Sequence, residues 1–137
     1  MHMKTLSTLI TTAAIFFGAQ ISHAADAEGR FWMGGGAGSV KCPEFVASME
    51  KARSVGIGTV RYVRETQGFT MYLLGFRTGY NSSTPNTCDI FSSEENDYPW
   101  LSWIESWCRA HPSSRFSDAV VALSEERFPK RQQVCSK

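Results

Sequence analysis

A cysteine and a histidine lie three residues apart in the C-terminal half of the chain, at Cys108 and His111. These residue types can form a thiol nucleophile and its general base, in which the imidazole takes the thiol proton. The alternative is that Cys108 forms a disulfide and His111 closes a helix, where a cation is favourable. We prefer this alternative, because the chain has no G-x-S-x-G or H-E-x-x-H motif that would indicate a catalytic site.

Three carboxylates, Glu94, Glu95 and Asp97, lie close together ahead of the Cys108 segment. Paired carboxylates can act as general acid and base, so a small hydrolase that uses Glu94 or Glu105 is a further hypothesis. The alternative is a solvated acidic loop that ends in a helix N-cap at Asn96 or Asp97, where negative charge is stabilising. We favour the acidic loop, and we expect no catalytic, cofactor-binding or metal-binding residues.

The chain has four cysteines: Cys42, Cys88, Cys108 and Cys135. An even number in a small exported domain predicts disulfides. A metal site is the competing interpretation, but it would need paired ligands at short spacing, such as C-x-x-C, and the chain has no such pair. We therefore expect disulfides and no metal.

The N-terminus has the pattern of a secretory signal peptide. Lys4 supplies the positive charge, residues 6–19 form an apolar core, and Ser22-His23-Ala24 offers small residues ahead of a cleavage site. An uncleaved membrane anchor is the alternative, but the core is too short to span a bilayer comfortably. We predict a signal peptide over residues 1–24, cleavage near Ala24, and a mature chain without a membrane span.

The mature chain has a balanced charge. The 14 Lys and Arg residues of the full chain become 13 without Lys4, and they match 13 Asp and Glu residues. Nucleic acids call for a clustered basic surface, whereas the basic residues here are scattered. We therefore expect no nucleic-acid partner.

Residues 25–40 are interpreted as a flexible leader, because the run 34–39 (GGGAGS) is rich in glycine. This run does not match a nucleotide-binding loop, because it lacks both the G-x-G-x-x-G frame and a Gly-Lys-Ser/Thr ending. Phe31, Trp32 and Met33 precede the run. We expect them to dock on the core, with docking on a partner as the alternative.

Residues 41–137 are predicted to form one all-α domain, a small bundle of about four helices. Apolar residues recur at helical spacing in four segments. The predicted helices cover residues 42–53, 69–80 and 98–110, and a fourth runs from a cap at Ser113 or Ser114 to a stop at Pro129. Ser102, Glu105 and Arg109 are expected on the outward face of the third helix.

Residues 59–64 (TVRYVR) alternate like a short β-strand and contain β-branched residues. No other segment offers a strand partner. We therefore expect an isolated extended segment or a loop at this position, rather than a sheet.

Four cysteines allow three pairings, and their environments distinguish them. Cys42 and Cys108 each lie on the apolar face of a predicted helix, so both should point into the core. Cys88 and Cys135 each lie in a polar, irregular segment after a helix. Because like environments should pair, we predict the disulfides Cys42–Cys108 and Cys88–Cys135.

Several short motifs resemble those of the HdeA/HdeB group of small periplasmic proteins and the wider HdeA-like set. They are residues 42–46 (CPEFV), 72–81 (YLLGFRTGYN), 107–112 (WCRAHP) and 116–120 (FSDAV). The resemblance extends over about residues 42–128 and implies an all-helical fold with the Cys42–Cys108 bridge. Proteins of this type are acid-stress chaperones, folded dimers at neutral pH that loosen in acid and hold unfolding clients.

The corner at Cys108, His111 and Pro112, together with a late cysteine such as Cys135, also resembles the Rap/Tai-type immunity proteins of type VI secretion. These are small periplasmic helical proteins with disulfides that block an incoming toxin. The two resemblances imply a periplasmic, non-enzymatic protein-binding domain without a cofactor. HdeA-like client binding is the first expectation, with a homodimer implied, and toxin immunity is the alternative.

Three surfaces are expected to bind such a partner: the outward face of residues 98–128, the glycine-rich leader, and the acidic loop before Tyr98.

Overall fold

The computed structural model describes residues 35–92 and 97–135. Within these ranges the chain forms four α-helices, two short 3-10 helices and no β-strand, which confirms the predicted all-α fold. The α-helices are α1 (Cys42–Ser54), α2 (Val60–Ser83), α3 (Asp97–Ala110) and α4 (Phe116–Arg127), and the 3-10 helices are Gly36–Ser39 and Phe128–Lys130. The predicted signal peptide, Phe31, Trp32 and Met33, and the acidic residues Glu94 and Glu95 with Asn96 lie outside the described residues.

All four α-helices contribute to the core, and an aromatic cluster lies where α1, α2 and α4 meet. Phe45 of α1, Phe69 of α2 and Phe116 of α4 form a three-ring cluster, with ring centroids 4.7 to 5.0 Å apart. Such aromatic pairs contribute about 0.5–1.5 kcal/mol each beyond the area that they bury. The other large core side chains are Met49, Leu73, Ile90, Phe91, Trp100, Leu101, Ile104, Val120 and Leu123.

The N-terminal part of α2 contradicts the sequence prediction. Residues 59–64, expected to be extended or a loop, form the N-cap and first turns of the helix. The Thr59 hydroxyl accepts a hydrogen bond from the Tyr62 backbone N–H at 3.2 Å, which caps the helix. The prediction was wrong because tertiary packing overrides the local preference of β-branched residues. The buried face of α2 continues along the helix through Tyr62, Thr66, Phe69 and Leu73.

Both predicted disulfides are present. The core disulfide joins Cys42 of α1 to Cys108 of α3, with Cα atoms 4.9 Å apart, and both residues are buried. The tail disulfide joins Cys88, after α2, to Cys135, with Cα atoms 5.3 Å apart, and Cys135 is exposed. Each bridge closes a long loop, which stabilises the fold by about 4 kcal/mol in the chain-entropy model.

Part of the segment predicted to be a flexible leader is folded. The 3-10 helix Gly36–Ser39 packs on α2 and α4. A Cβ at Gly38 would overlap the ring of Tyr72, so only glycine fits at this contact. Residues 25–34 of the predicted leader lie outside the described residues.

The start of α4 also differs from the prediction, because neither Ser113 nor Ser114 caps it. The N-cap is Arg115, whose backbone N–H donates to Oδ2 of Asp118 at 2.8 Å. The Ser114 carbonyl instead accepts the Cys42 N–H at 3.0 Å. The corner between α3 and α4 is thereby hydrogen-bonded to the start of α1.

The C-terminal tail folds back onto the loop after α2. Gln132 and Asp89 exchange two backbone hydrogen bonds, of 2.9 and 3.0 Å, and the Cys88 N–H donates to the Gln132 carbonyl at 2.8 Å. These bonds and the tail disulfide hold the last described residues in place.

Candidate functional site

The structure does not present Cys108 and His111 as a nucleophile and its base. The Cys108 sulfur is bonded to Cys42 in the core disulfide and is therefore not a free thiolate. The His111 ring stacks on Trp107 with centroids 3.9 Å apart, and its Nδ1 lies 2.8 Å from the Trp107 carbonyl oxygen. His111 is therefore tied to the C-terminal turn of α3.

The helical pattern predicted that Glu105 faces outward. In the structure Glu105 is instead buried, with a relative exposure of 6%. Arg53 of α1 donates two hydrogen bonds to the Glu105 carboxylate, from Nη1 to Oε2 at 2.6 Å and from Nη2 to Oε1 at 2.8 Å. Arg109 adds a third to Oε1 at 2.7 Å and also reaches Glu50 at 2.8 Å. We call these four residues the Glu105 cluster. It joins α1 to α3.

The cluster fixes the charge state of its carboxylate. The hydrogen bonds from Arg53 hold the pKa of Glu105 below its usual value, burial opposes this shift, and Arg109 reinforces it. Glu105 raises the pKa of Arg53, and Glu50 with Glu105 raises that of Arg109. Because the folded pKa of Glu105 is depressed, its contribution to stability is present above its unfolded pKa. That contribution is lost as pH falls through the folded pKa.

A second buried carboxylate, Asp89, lies in the loop after α2. Arg77 of α2 binds it through both carboxylate oxygens, with Nε to Oδ1 at 2.8 Å. Asn81 donates to Oδ1 at 3.3 Å, and the Phe91 N–H donates to the same oxygen at 3.1 Å. We call these residues the Asp89 cluster. It fastens the end of α2 to the loop that also carries the tail disulfide.

Burial pushes the pKa of Asp89 upward, but the hydrogen bonds from Arg77 and Asn81 outweigh it, so the pKa lies below its usual value. The pKa of Asp89 is thus shifted in the same direction as that of Glu105. The contribution of the Asp89 carboxylate to folding stability is therefore present at neutral pH and is lost in acid. Each buried carboxylate thus supplies an acid-sensitive tie between two parts of the fold. From the sequence, Glu105 was expected on the outward face of its helix and was considered as a catalytic group, and Asp89 was not singled out.

Of the three surfaces expected to bind a partner, the outward face of residues 98–128 is described most fully. Ser102 and Ser106 are exposed on α3. Trp103 is half-buried, and its indole N–H donates to Oε2 of Glu126 at 3.1 Å. The leader is described only from residue 35, and the acidic residues Glu94 and Glu95 lie outside the described residues.

A further surface was missed in the sequence. Four large apolar side chains are exposed on the turn before α2 and along its outer face: Ile57 (65%), Val60 (75%), Val63 (52%) and Met71 (60%). We call these four residues the α2 patch. The signal that would have revealed it is the true start of α2. A helix that begins at residue 60 places Val60 and Met71 opposite the buried Tyr62, Phe69 and Leu73.

No three His, Cys, Asp or Glu side chains come together as a metal-binding group within residues 35–92 and 97–135. None of the helices in those ranges is long and apolar enough to cross a bilayer. Comparison of the chain with protein-family models, with curated proteins and with solved structures found no match. The fold and its two carboxylate clusters therefore define the chain as an all-α, disulfide-bridged domain.

Proposed function

We propose that the mature chain is a non-enzymatic, protein-binding domain of the periplasm. The two disulfides support export, since such bonds persist in oxidising compartments. The exposed α2 patch supports protein binding, because apolar side chains clustered at a surface mark interaction sites. The resemblance to HdeA/HdeB-type proteins gives the first form of this function, an acid-stress chaperone.

The observation that carries the chaperone function is the position of the two buried carboxylates. The Glu105 cluster joins α1 to α3, and the Asp89 cluster joins α2 to the loop behind it. Only the ionised carboxylates hold their arginines strongly, so acid removes both ties. The disulfides are unaffected by acid and keep the chain compact.

Of α2 and α4, the helices that contain no cysteine, we expect acid to free α2 more. At neutral pH it is held by packing and by ion pairs that need carboxylates, among them Arg77–Asp89 and Lys51–Glu65. Protonation of all carboxylates also leaves 13 Lys and Arg residues of the mature chain without opposing charge, and these repel one another. Loosening of α2 exposes the phenylalanine cluster, an apolar surface suited to unfolding clients.

Acid titration tests this function. Tertiary structure is followed by near-UV circular dichroism, and light scattering follows a client that aggregates in acid. We expect the tertiary signal to fall between about pH 4 and pH 2, with both disulfides intact and the client kept in solution. A retained tertiary signal near pH 2, with no protection of the client, would refute the chaperone function.

Toxin immunity is the second candidate, and the two bridges together with the ordered α2 patch favour it. A twice-bridged domain presents a fixed surface at neutral pH, which lowers the entropy cost of binding a folded partner. The test is to search the neighbouring genes for a secreted toxin and to mix the purified toxin with the mature chain. A stable complex that abolishes the toxin's activity at neutral pH establishes immunity, whereas an unaffected toxin excludes it.

A further inference from the structure

The α2 patch begins at a turn whose backbone is well defined. Ile57 stands between Gly56 and Gly58, which adopt positive φ angles of 93° and 82° that favour glycine. The Thr59 hydroxyl donates to the Gly56 carbonyl at 2.8 Å, and its backbone N–H donates to the same oxygen at 3.3 Å. These bonds order the backbone of the turn that carries the exposed Ile57. A turn whose backbone is already ordered loses little conformational entropy on binding.

The charge around the α2 patch is mainly positive, although the mature chain is neutral overall. Residues 51–71 contain four basic residues and one acidic residue, Glu65. Lys51 and Arg53 are paired with Glu65 and Glu105. The other two basic residues, Arg61 and Arg64, lie exposed on the first turns of α2, beside the valines of the patch. Neither forms an ion pair with any residue that the structure describes.

We propose that the α2 patch, with Arg61 and Arg64 at its edge, is the docking surface for a protein partner. That partner presents apolar side chains surrounded by Asp and Glu. The proposal rests on the proposed protein-binding function and adds the surface and the chemistry of the partner. Complementary charge around an apolar contact steers the encounter and sets its specificity.

Two other occupants fit the surface less well. Interfacial membrane helices carry many Lys and Arg residues and large aromatic side chains, whereas this surface has two arginines, Arg61 and Arg64, and aliphatic or Met side chains. A two-fold interface brings the same patch of both subunits together. In a dimer of this kind, Arg61 and Arg64 of one copy would face those of the other and repel them. A partner with the opposite charge avoids this repulsion.

The binding experiment uses the mature full-length chain, labelled with 15N, at neutral pH. The probes are three synthetic amphipathic peptides with the same leucines and with Glu, Gln or Lys at every polar position. We expect the Glu peptide to shift the amide signals of residues 57–71, the Gln peptide to bind more weakly and the Lys peptide not to bind. Glu and Lys peptides that bind alike, or shifts confined to other residues, would overturn the proposal.

Two pairs of variants test the residues. The double variant Arg61→Glu with Arg64→Glu should weaken binding of the Glu peptide by about tenfold or more and admit the Lys peptide. Its control, Lys41→Glu with Lys130→Glu, makes the same change in net charge at exposed lysines elsewhere and should leave binding unchanged. Equal effects of the two double variants would show that net charge alone governs binding. That result would refute the assignment of the docking surface to the α2 patch.

Val60→Ser should also weaken binding of the Glu peptide. Its control is Val134→Ser, near the C-terminus, which should leave binding unchanged; Val60 is 75% exposed and Val134 is 79% exposed. Near-UV circular dichroism and urea unfolding establish that each variant folds. Since all the substituted side chains are exposed, we expect the variants to keep the wild-type fold.

The other occupants are tested with the same variants. Binding to phosphatidylglycerol vesicles that Arg61→Glu with Arg64→Glu abolishes, without peptide binding, would assign the surface to a membrane. Concentration-dependent dimerisation in the ultracentrifuge that Val60→Ser abolishes would assign it to a second copy. Either result overturns the proposal. If toxin binding at neutral pH is retained in both α2 variants, the docking surface is wrong while the proposed function stands. Loss of that binding in the α2 variants alone supports both.

Discussion

Replacement of Glu105 by glutamine tests the Glu105 cluster most sharply, because it removes the charge and keeps the size of the side chain. Glu105 is buried at 6% exposure and takes two hydrogen bonds from Arg53. Removal of one partner of a fully buried ion pair costs about 3–5 kcal/mol. The side chain of Arg53 is 39% exposed, so water solvates the charge left behind. We therefore expect a loss of about 1–2 kcal/mol at pH 7.

The assay is urea unfolding of the wild type and Glu105→Gln at a series of pH values. The depressed pKa of Glu105 means that its stabilising effect is present at neutral pH and disappears once the folded carboxylate is protonated. The difference in free energy of unfolding should therefore shrink towards zero in acid. Glu125→Gln, a change at an exposed site, is the control and should differ little from the wild type.

Equal stability of the wild type and Glu105→Gln at pH 7 would refute the assigned role of the cluster. A difference that persists unchanged at the lowest pH at which both proteins are still folded would show that the substitution acts through packing rather than charge.

Three further predictions concern other parts of the fold. Asp89→Asn should lower the free energy of unfolding by about 1–3 kcal/mol at neutral pH and have less effect in acid; urea unfolding at both pH values checks this. Gly38→Ala should destabilise by about 1–3 kcal/mol because the new methyl group displaces the Tyr72 ring. The control Gly75→Ala, at an open helical site, should stabilise by up to about 1 kcal/mol, and thermal unfolding compares the two. Under native conditions a dithiol should reduce the exposed tail disulfide before the buried core disulfide; alkylation and mass mapping give the order, and the reverse order would contradict the burial of the core bridge.

The disulfide pairing was predictable because it depends on local pattern. Helical periodicity places Cys42 and Cys108 on apolar faces, and both faces are buried in the structure. The same reasoning gave three of the four α-helices to within two residues at their N-termini. It failed at residues 59–64, where β-branched alternation looked like a strand and only packing of Tyr62 against the core selects a helix.

The buried carboxylates were not predictable, because their partners are distant or lie on other elements. Glu105 falls at the edge of the apolar stripe of α3, and nothing nearby in sequence shows that Arg53, 52 residues earlier, bonds to it. The burial of Gly38 likewise depends on Tyr72, which belongs to another helix. The α2 patch was missed for a related reason, since the first turns of its helix were not recognised.

The most direct test of the proposed function is protection of a client in acid. The wild-type chain, with both disulfides formed, is mixed with a protein that aggregates at every pH below about 5, and light scattering is recorded at a series of pH values from 7 down to about 3. We predict suppressed scattering in acid and Glu105→Gln protecting the client at a higher pH than the wild type. Unchanged aggregation in acid, from a chain that keeps its tertiary signal, would contradict the proposal.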